Sequence, residues 1–305
     1  MLRMTRAILA LLAAFAQASP APPSTDVYLV SLADPAKWSA SSVSNISASP
    51  GYDNQPSFMR DSRSVLFTSN RDGKQSDIYR YWIADRKLTR LTQTPESEYS
   101  ATVVPAGNAF SVIQVEADTT QRLWQFDLSG RTPQLVLADV KPVGYHAWID
   151  ASTVMVFVLG EPATLQRAAP GSPLVEIVTG NIGRSLVAIP NTKAVSFTTR
   201  DDQGVWWIRK YDAETRQVTP LVQAPDGAAG AAEPHTAWSR DGRLFTASGT
   251  RILSWKEGET GWTLVGDLAA APVKNISRLS VSPDGRWLAF VADPAAPGEP
   301  LDLAW

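Results

Sequence analysis

Past residue 26 the chain is written in short apolar runs broken by polar turns, with no 12-residue window of clear helical period. Near the C-terminus, Leu279-Ser280-Val281 and Trp287-Leu288-Ala289-Phe290 flank Ser282-Pro283-Asp284-Gly285-Arg286. This reads as strand, turn and strand: Asp accepts local backbone hydrogen bonds and Gly takes positive φ at low cost. The same unit recurs at Phe58, before Asp61-Ser62-Arg63 and Val65-Leu66-Phe67. It recurs at Val103, before Pro105-Ala106-Gly107-Asn108, and at Trp148, before Asp150-Ala151-Ser152. Ala188 opens a weaker copy and Trp238 a clear one, with Arg240-Asp241-Gly242-Arg243 as its turn. The six anchors, 58, 103, 148, 188, 238 and 281, are spaced 45, 45, 40, 50 and 43 residues apart.

A third strand follows each of several hairpins, as in Asp77-Ile78-Tyr79-Arg80-Tyr81, Leu123-Trp124-Gln125-Phe126 and Trp206-Trp207-Ile208-Arg209. A fourth follows, as in Leu88-Thr89-Arg90-Leu91-Thr92 and Leu174-Val175-Glu176-Ile177-Val178. Four short antiparallel strands per repeat make one propeller blade. The pattern predicts an all-β, six-bladed β-propeller over residues 26–292, with blades near 55–99, 100–144, 145–185, 186–233 and 234–275. The sixth blade has only the 276–292 hairpin and takes its missing strands from residues 26–48, where Asp26-Val27-Tyr28-Leu29-Val30 mirrors Asp77-Ile78-Tyr79-Arg80. Closing the last blade with both termini removes the open sheet edge. Its fourth strand is expected within Lys37–Ile46.

The first residues follow a different pattern. Arg3 and Arg6 precede an apolar run from Ala7 to Ala16, and Ala16-Gln17-Ala18 supplies a small-residue exit. These are the parts of a secretory signal peptide, too short to span a membrane. Export to the periplasm or medium is expected, with cleavage after Ala18, a linker at 19–25 and a Pro-rich tail at 293–305.

Composition narrows the chemistry. The chain has 305 residues with 28 Lys and Arg against 30 Asp and Glu, so nucleic acid is not an expected partner. It has no Cys and two His, which excludes disulfides, thiolate chemistry and a three-histidine metal site. No Gly-x-Ser-x-Gly, Walker loop or His-Glu-x-x-His occurs. No cofactor, resident metal or catalytic residue is therefore assigned. The 11 Trp are far above ordinary usage, and most of those on proposed strands are expected to fill the wedges between blades.

Aligning the six inner strands places Gln55, Ser100, Tyr145, Ser185, His235 and Arg278 at one offset. Asn54, Tyr99, Gly144, Arg184, Pro234 and Ser277 precede them, and Asp53, Glu98 and Glu233 add carboxylates one position earlier. Convergent polar groups at a concave centre are the default binding site. The expected channel-mouth residues are Asn54, Gln55, Glu98, Tyr99, Tyr145, Arg184, His235 and Arg278.

The run Pro56-Ser57-Phe58, Asp61-Ser62-Arg63, Val65-Leu66-Phe67-Thr68-Ser69-Asn70-Arg71-Asp72-Gly73, Asp77-Ile78-Tyr79 resembles the Pro-Asp, WD-like propeller repeat of TolB-like proteins. Ser282-Pro283-Asp284-Gly285-Arg286 matches the repeat's namesake turn. Blades at 55–99, 235–275 and 276–292 match in letters; those at 100–185 match mainly in spacing. The resemblance implies the propeller fold and is nearly silent on function. TolB itself carries an α/β domain ahead of its propeller. The seven residues between the expected cleavage site and the first strand leave no room for one. Propeller lyases with this repeat use a His-rich metal cluster, which two histidines cannot reproduce. The expectation is an exported, non-enzymatic binding or scaffolding protein for an envelope protein, peptide or glycan. The alternative is an exported carbohydrate-active lyase or hydrolase working in the channel.

Overall fold

The computed structural model describes residues 23–225 and 231–294. The expected leader, most of the linker and nearly all of the tail lie outside the described residues. Among the described residues, no helix is long and apolar enough to cross a membrane.

Six four-stranded antiparallel sheets stand in a ring, each a meander from channel to rim. Blade 1 comprises Asp53–Phe58, Ser64–Ser69, Asp77–Trp82 and Lys87–Arg90, and blade 2 Ser97–Val103, Ala109–Val115, Gln121–Asp127 and Gln134–Leu135. Blade 3 comprises Val143–Asp150, Thr153–Val158, Thr164–Ala168 and Val175–Gly180, and blade 4 Ile182–Ile189, Ala194–Arg200, Trp206–Asp212 and Gln217–Gln223. Blade 5 comprises Thr236–Trp238, Arg243–Ser248, Arg251–Lys256 and Thr263–Asp267. Blade 6 is composite: Leu279–Val281 and Trp287–Ala292 from one end, Asp26–Ser31 and Val43–Asn45 from the other. The joining pair runs in register from Asp26 opposite Ala292 to Ser31 opposite Trp287.

The second strands show why the chain reads as apolar runs. Ser64–Ser69 is buried at every position, and Ala109–Val115 at all but the last. Each lies inside its blade and between two neighbouring blades, so both of its faces are covered. Outer strands such as Gln217–Gln223 are exposed or half-buried throughout.

Blades meet through shared apolar clusters and, at two seams, an indole hydrogen bond. The anchor on each inner strand shares an apolar cluster or a hydrogen bond with one second-strand residue of the preceding blade. Phe58 clusters with Ala289, Val103 with Leu66, Ala188 with Met155, and Val281 with Phe245. Trp148 and Trp238 face serines instead: their indole N–H groups donate to Ser111 Oγ and Ser196 Oγ, both at 2.8 Å. A buried indole N–H needs a partner, and the small hydroxyl supplies it while leaving room for the ring. Most other tryptophans pin loops or strand edges: Trp38, Trp206, Trp255 and Trp262 donate to backbone carbonyls, and Trp124 and Trp207 to Glu116 and Asp201.

The seam between the composite blade and blade 1 has an apolar body, with Val27, Leu29 and Val291 against Phe58, Val65 and Phe67, and a polar group of side chains beside it. Asp26 accepts from Asn45 Nδ2 at 2.9 Å and Ser47 Oγ at 3.1 Å. Asp53 is buried, with Arg71 Nη2 3.4 Å from Oδ1 and no partner for Oδ2. Burial raises the Asp53 carboxyl to about 6, against the pull of Ser69 and Arg71 and with a push from Asp26.

Two predictions follow from these contacts. Trp148→Ala should cost about 3–5 kcal/mol in denaturant unfolding through the cavity it leaves. Ser111→Ala should cost about 1–3 kcal/mol, because the indole N–H and the His146 ring nitrogen both lose their partner. The double variant should lose less than the sum; strict additivity would mean the two do not act as a pair. For Asp53, the folded state holds the proton more tightly than an unfolded carboxyl near 3.9. Its contribution is therefore favourable at low pH and lost as pH rises from about 4 through about 6. Relative to the natural chain, Asp53→Asn should gain about 2–3 kcal/mol between pH 4 and pH 8. A pH-independent difference would overturn this account.

Candidate functional site

The inner strands enclose a channel of about 550 Å³. The residue three before each anchor lines its wall: Gln55, Ser100, Tyr145, Ser185, His235 and Arg278. Blades 1 to 4 share a register shift at this point, between Asn54 and Ser57, Tyr99 and Thr102, Val143 and Tyr145, and Ile182 and Leu186. Gln55 and Ser100 there take φ of 59° and 56°. A bulge re-aims a side chain and bends the strand, and here it turns one residue per blade toward the axis.

Buried oxygens hold the bulged backbone. Gln55 Oε1 accepts from Ser100 N at 2.8 Å and Thr68 Oγ1 at 3.0 Å, which ties blade 1 to blade 2. Glu233 does the same between blades 4 and 5: one carboxylate oxygen accepts from Arg184 N, from Ser185 N at 3.0 Å and from Thr198 Oγ1 at 2.8 Å. Gly183 makes the room, since a Cβ there would stand 2.3 Å from both Glu233 Oε1 and Thr198 Oγ1.

Arg278 reaches from blade 6 to blade 3, on the opposite side of the ring. Its Nη2 donates to Tyr145 Oη at 2.7 Å, and its guanidinium stands 4.8 Å from the Tyr145 ring centroid. Arg184 also lines the channel, and neither arginine takes part in an ion pair among the described residues. Burial, with Arg278 and Arg184 nearby, lowers the His235 imidazole well below its ordinary value, so it is neutral near pH 7. A second cavity of about 550 Å³ adjoins, sharing Gln55, Tyr145 and Arg184 and adding Tyr52, Tyr99 and Leu159. Burial pushes the Tyr52 phenol up, while Arg278 and Arg184 pull it down.

Of the expected mouth residues, Gln55, Tyr145, Arg184, His235 and Arg278 converge on the channel and Tyr99 on the adjoining cavity. Asn54 and Glu98 line neither. Asn54 is buried against Thr25, donating to its Oγ1 at 3.3 Å. Glu98 is fully buried, accepting from Gln114 Nε2 at 3.0 Å and from Thr94. Alternation turns Asn54, one residue before Gln55, away from the channel, whereas Glu98 lies before the register shift between Tyr99 and Thr102, which breaks the alternation between it and Ser100. His146 is buried with Nε2 2.7 Å from Ser111 Oγ, and burial lowers it to about 3. Among the described residues, no group of three or more His, Asp and Glu is placed to hold a metal. Tyr52 was not legible: Ser97, Pro142, Ile182, Ala232 and Asn275 stand at its offset in the other blades, so no repeat marks it.

No protein-family model matches the sequence. No curated protein matches it either. Solved structures do. A protein assigned as TolB from Agrobacterium tumefaciens aligns with TM-score 0.66 at 14 % identity, over 89 % of this chain and 99 % of that one. TolB from Acinetobacter baumannii aligns at 0.56 and 14 %, over 90 % of this chain and 64 % of that one. The gluconolactonase XC5397 from Xanthomonas campestris aligns at 0.58 and 12 %, over 90 % and 99 %. Two of these neighbours carry the TolB name and the third is a gluconolactonase, and at these identities the likeness shows the fold.

The Glu233 latch is testable. Gly183→Ala should displace the carboxylate and cost about 2–3 kcal/mol through three lost hydrogen bonds. Glu233→Ala should cost a similar amount, and Gly183→Ala should cost less in the Glu233→Ala background than alone, what is left being its clash with Thr198 Oγ1. Equal losses in both backgrounds, read by thermal or denaturant unfolding, would break the link.

Proposed function

We propose that the protein is an exported binding or scaffolding module, and that the channel and its mouth receive a protein, peptide or glycan from the cell envelope. One observation carries this reading. Six rigid strands deliver one side chain each to a common cavity, and Arg184 and Arg278 arrive there without acidic partners. Donors already held in place lose little freedom on binding. Export follows from the basic, apolar and small-residue succession of residues 1–18.

A second reading has a specific observation behind it. His235, Arg184 and Arg278 line one cavity, so an anionic or carbonyl substrate held by the two cations would lie beside an imidazole. A gluconolactonase shares the fold. This reading expects turnover of lactones or uronate oligosaccharides, with or without divalent metals, that His235→Ala abolishes.

A photo-crosslinking residue placed at Ser280, on the channel wall, should trap a partner in cells. One at Leu264, exposed on an outer strand, should not. The adduct should disappear when Arg184, His235 and Arg278 are all changed to Ala. Equal adducts from both positions, or an adduct untouched by the triple change, would defeat the binding reading. Mass spectrometry of the exported chain should find Ser19 as its first residue.

A further inference from the structure

The charge in the channel is one-sided. Arg60, Arg184 and Arg278 line it, and no Asp or Glu does. The adjoining cavity adds no carboxylate either. The whole chain is formally −2, so this cationic throat is a local arrangement and not the background. Arg60 is committed to the Pro105 carbonyl. Arg278 is committed only to the phenol and ring of Tyr145, and Arg184 to no acceptor among the described residues. Arg184 and Arg278 both act on His235 and on Tyr52, so an anion held beside those side chains faces both guanidiniums.

The adjoining cavity has another character. Ile113, Val115, Phe157 and Leu159 line it together with Tyr52 and Tyr99. Tyr145 and Phe157 meet edge to face at 5.7 Å, and Tyr52 and Tyr99 at 6.4 Å. Arg184 and Tyr145 belong to both cavities, so the cationic throat opens directly onto an apolar, aromatic wall.

We infer that the site takes a carboxylate carrying an apolar or aromatic group, with the carboxylate between Arg184 and Arg278 and the apolar group against Tyr52, Tyr99 and Leu159. The inference rests on the channel being a binding site and names the ligand class for it. A guanidinium fork matches two carboxylate oxygens, and the tyrosines offer flat apolar area with polar edges. Such a ligand exists as a small free acid or as the C-terminus of a peptide ending in Phe or Leu. Glu233 acts as a positioning residue, because it fixes the backbone N–H of Arg184.

Titration calorimetry tests this with N-acetylphenylalanine, its neutral amide, phenyl phosphate and galacturonate. The acid should bind, with affinity falling as salt rises, and the amide should bind at least tenfold more weakly. Arg184→Met and Arg278→Met should each weaken the acid at least tenfold and the amide less than twofold. Arg184→Lys and Arg278→Lys keep the charge and guard against misfolding; each should retain part of the affinity. In the complex the His235 imidazole should titrate at higher pH, because the bound anion offsets the two cations. A peptide ending in free Phe that binds at least tenfold tighter than N-acetylphenylalanine identifies a chain terminus as the source; equal affinities identify a small acid. Equal binding of acid and amide, preference for phenyl phosphate or galacturonate, or no binding of the acid would each overturn the inference. If the Ser280 crosslink persists while the acid fails to bind, the binding reading stands and only the ligand class falls.

Discussion

The structure depends on the wedge between neighbouring blades being filled to a constant thickness. A ring closes only if six wedge angles add to a full turn, so a wedge that is too thick cannot be absorbed locally. Apolar clusters shared by neighbouring blades meet this constraint, and at Trp148 and Trp238 a hydrogen bond to Ser111 and to Ser196 adds to the fit. Interiors packed near crystal density tolerate neither a surplus methylene nor a missing one. At those two tryptophans the partner is a small hydroxyl, which accepts the hydrogen bond and leaves room for the ring.

Closure puts a second demand on the termini. A strand from residues 26–31 must find Trp287–Ala292 across the whole length of the chain, and that long-range pairing has a high loop-closure cost. Hydrogen bonds then bind the junction to blade 1. Thr25 exchanges backbone bonds with Gly51 and Asp53, and Arg71 reaches Ser47. Asp53 is the weak point of this seam, a buried carboxyl with one oxygen unpartnered, and its raised pKa expresses that cost.

Much of this was legible in the sequence, and the reasons can be traced residue by residue. The blade count, the composite sixth blade and the inner-strand register could be read because the Asp-Gly and Asx turns recur at a nearly constant offset from each anchor. Gln55, Tyr145, His235 and Arg278 were legible for the same reason. Of the neighbouring offsets, Tyr99 and Arg184 reach the cavities, while Asn54 and Glu98 do not, their side chains being spent on Thr25 and on Gln114 and Thr94. The role of the tryptophans was legible as well. Trp206, Trp238, Trp255 and Trp262 pack in the one apolar cluster shared by blades 4 and 5, and Trp124 and Trp287 pack against clusters of their own. What the repeat did not disclose is the second use of the indole N–H, which for Trp206, Trp255 and Trp262 pins a backbone carbonyl.

The rigidity of the ring and the charge in its channel are two sides of one design. Guanidiniums without carboxylate partners would relax in a flexible loop, swinging out to water or onto a carboxylate. Here the backbone beneath them has little room to move: Arg184 follows Ile182 and Gly183 into a strand locked by Glu233, and Arg278 precedes a strand buried under Trp287–Ala292. Arg278 is further pinned to Tyr145 across the channel. The packing that closes the propeller therefore also holds both guanidiniums on the channel wall in a fixed place. An anion entering the channel meets donors already positioned, which is how a rigid scaffold favours one charge type over another.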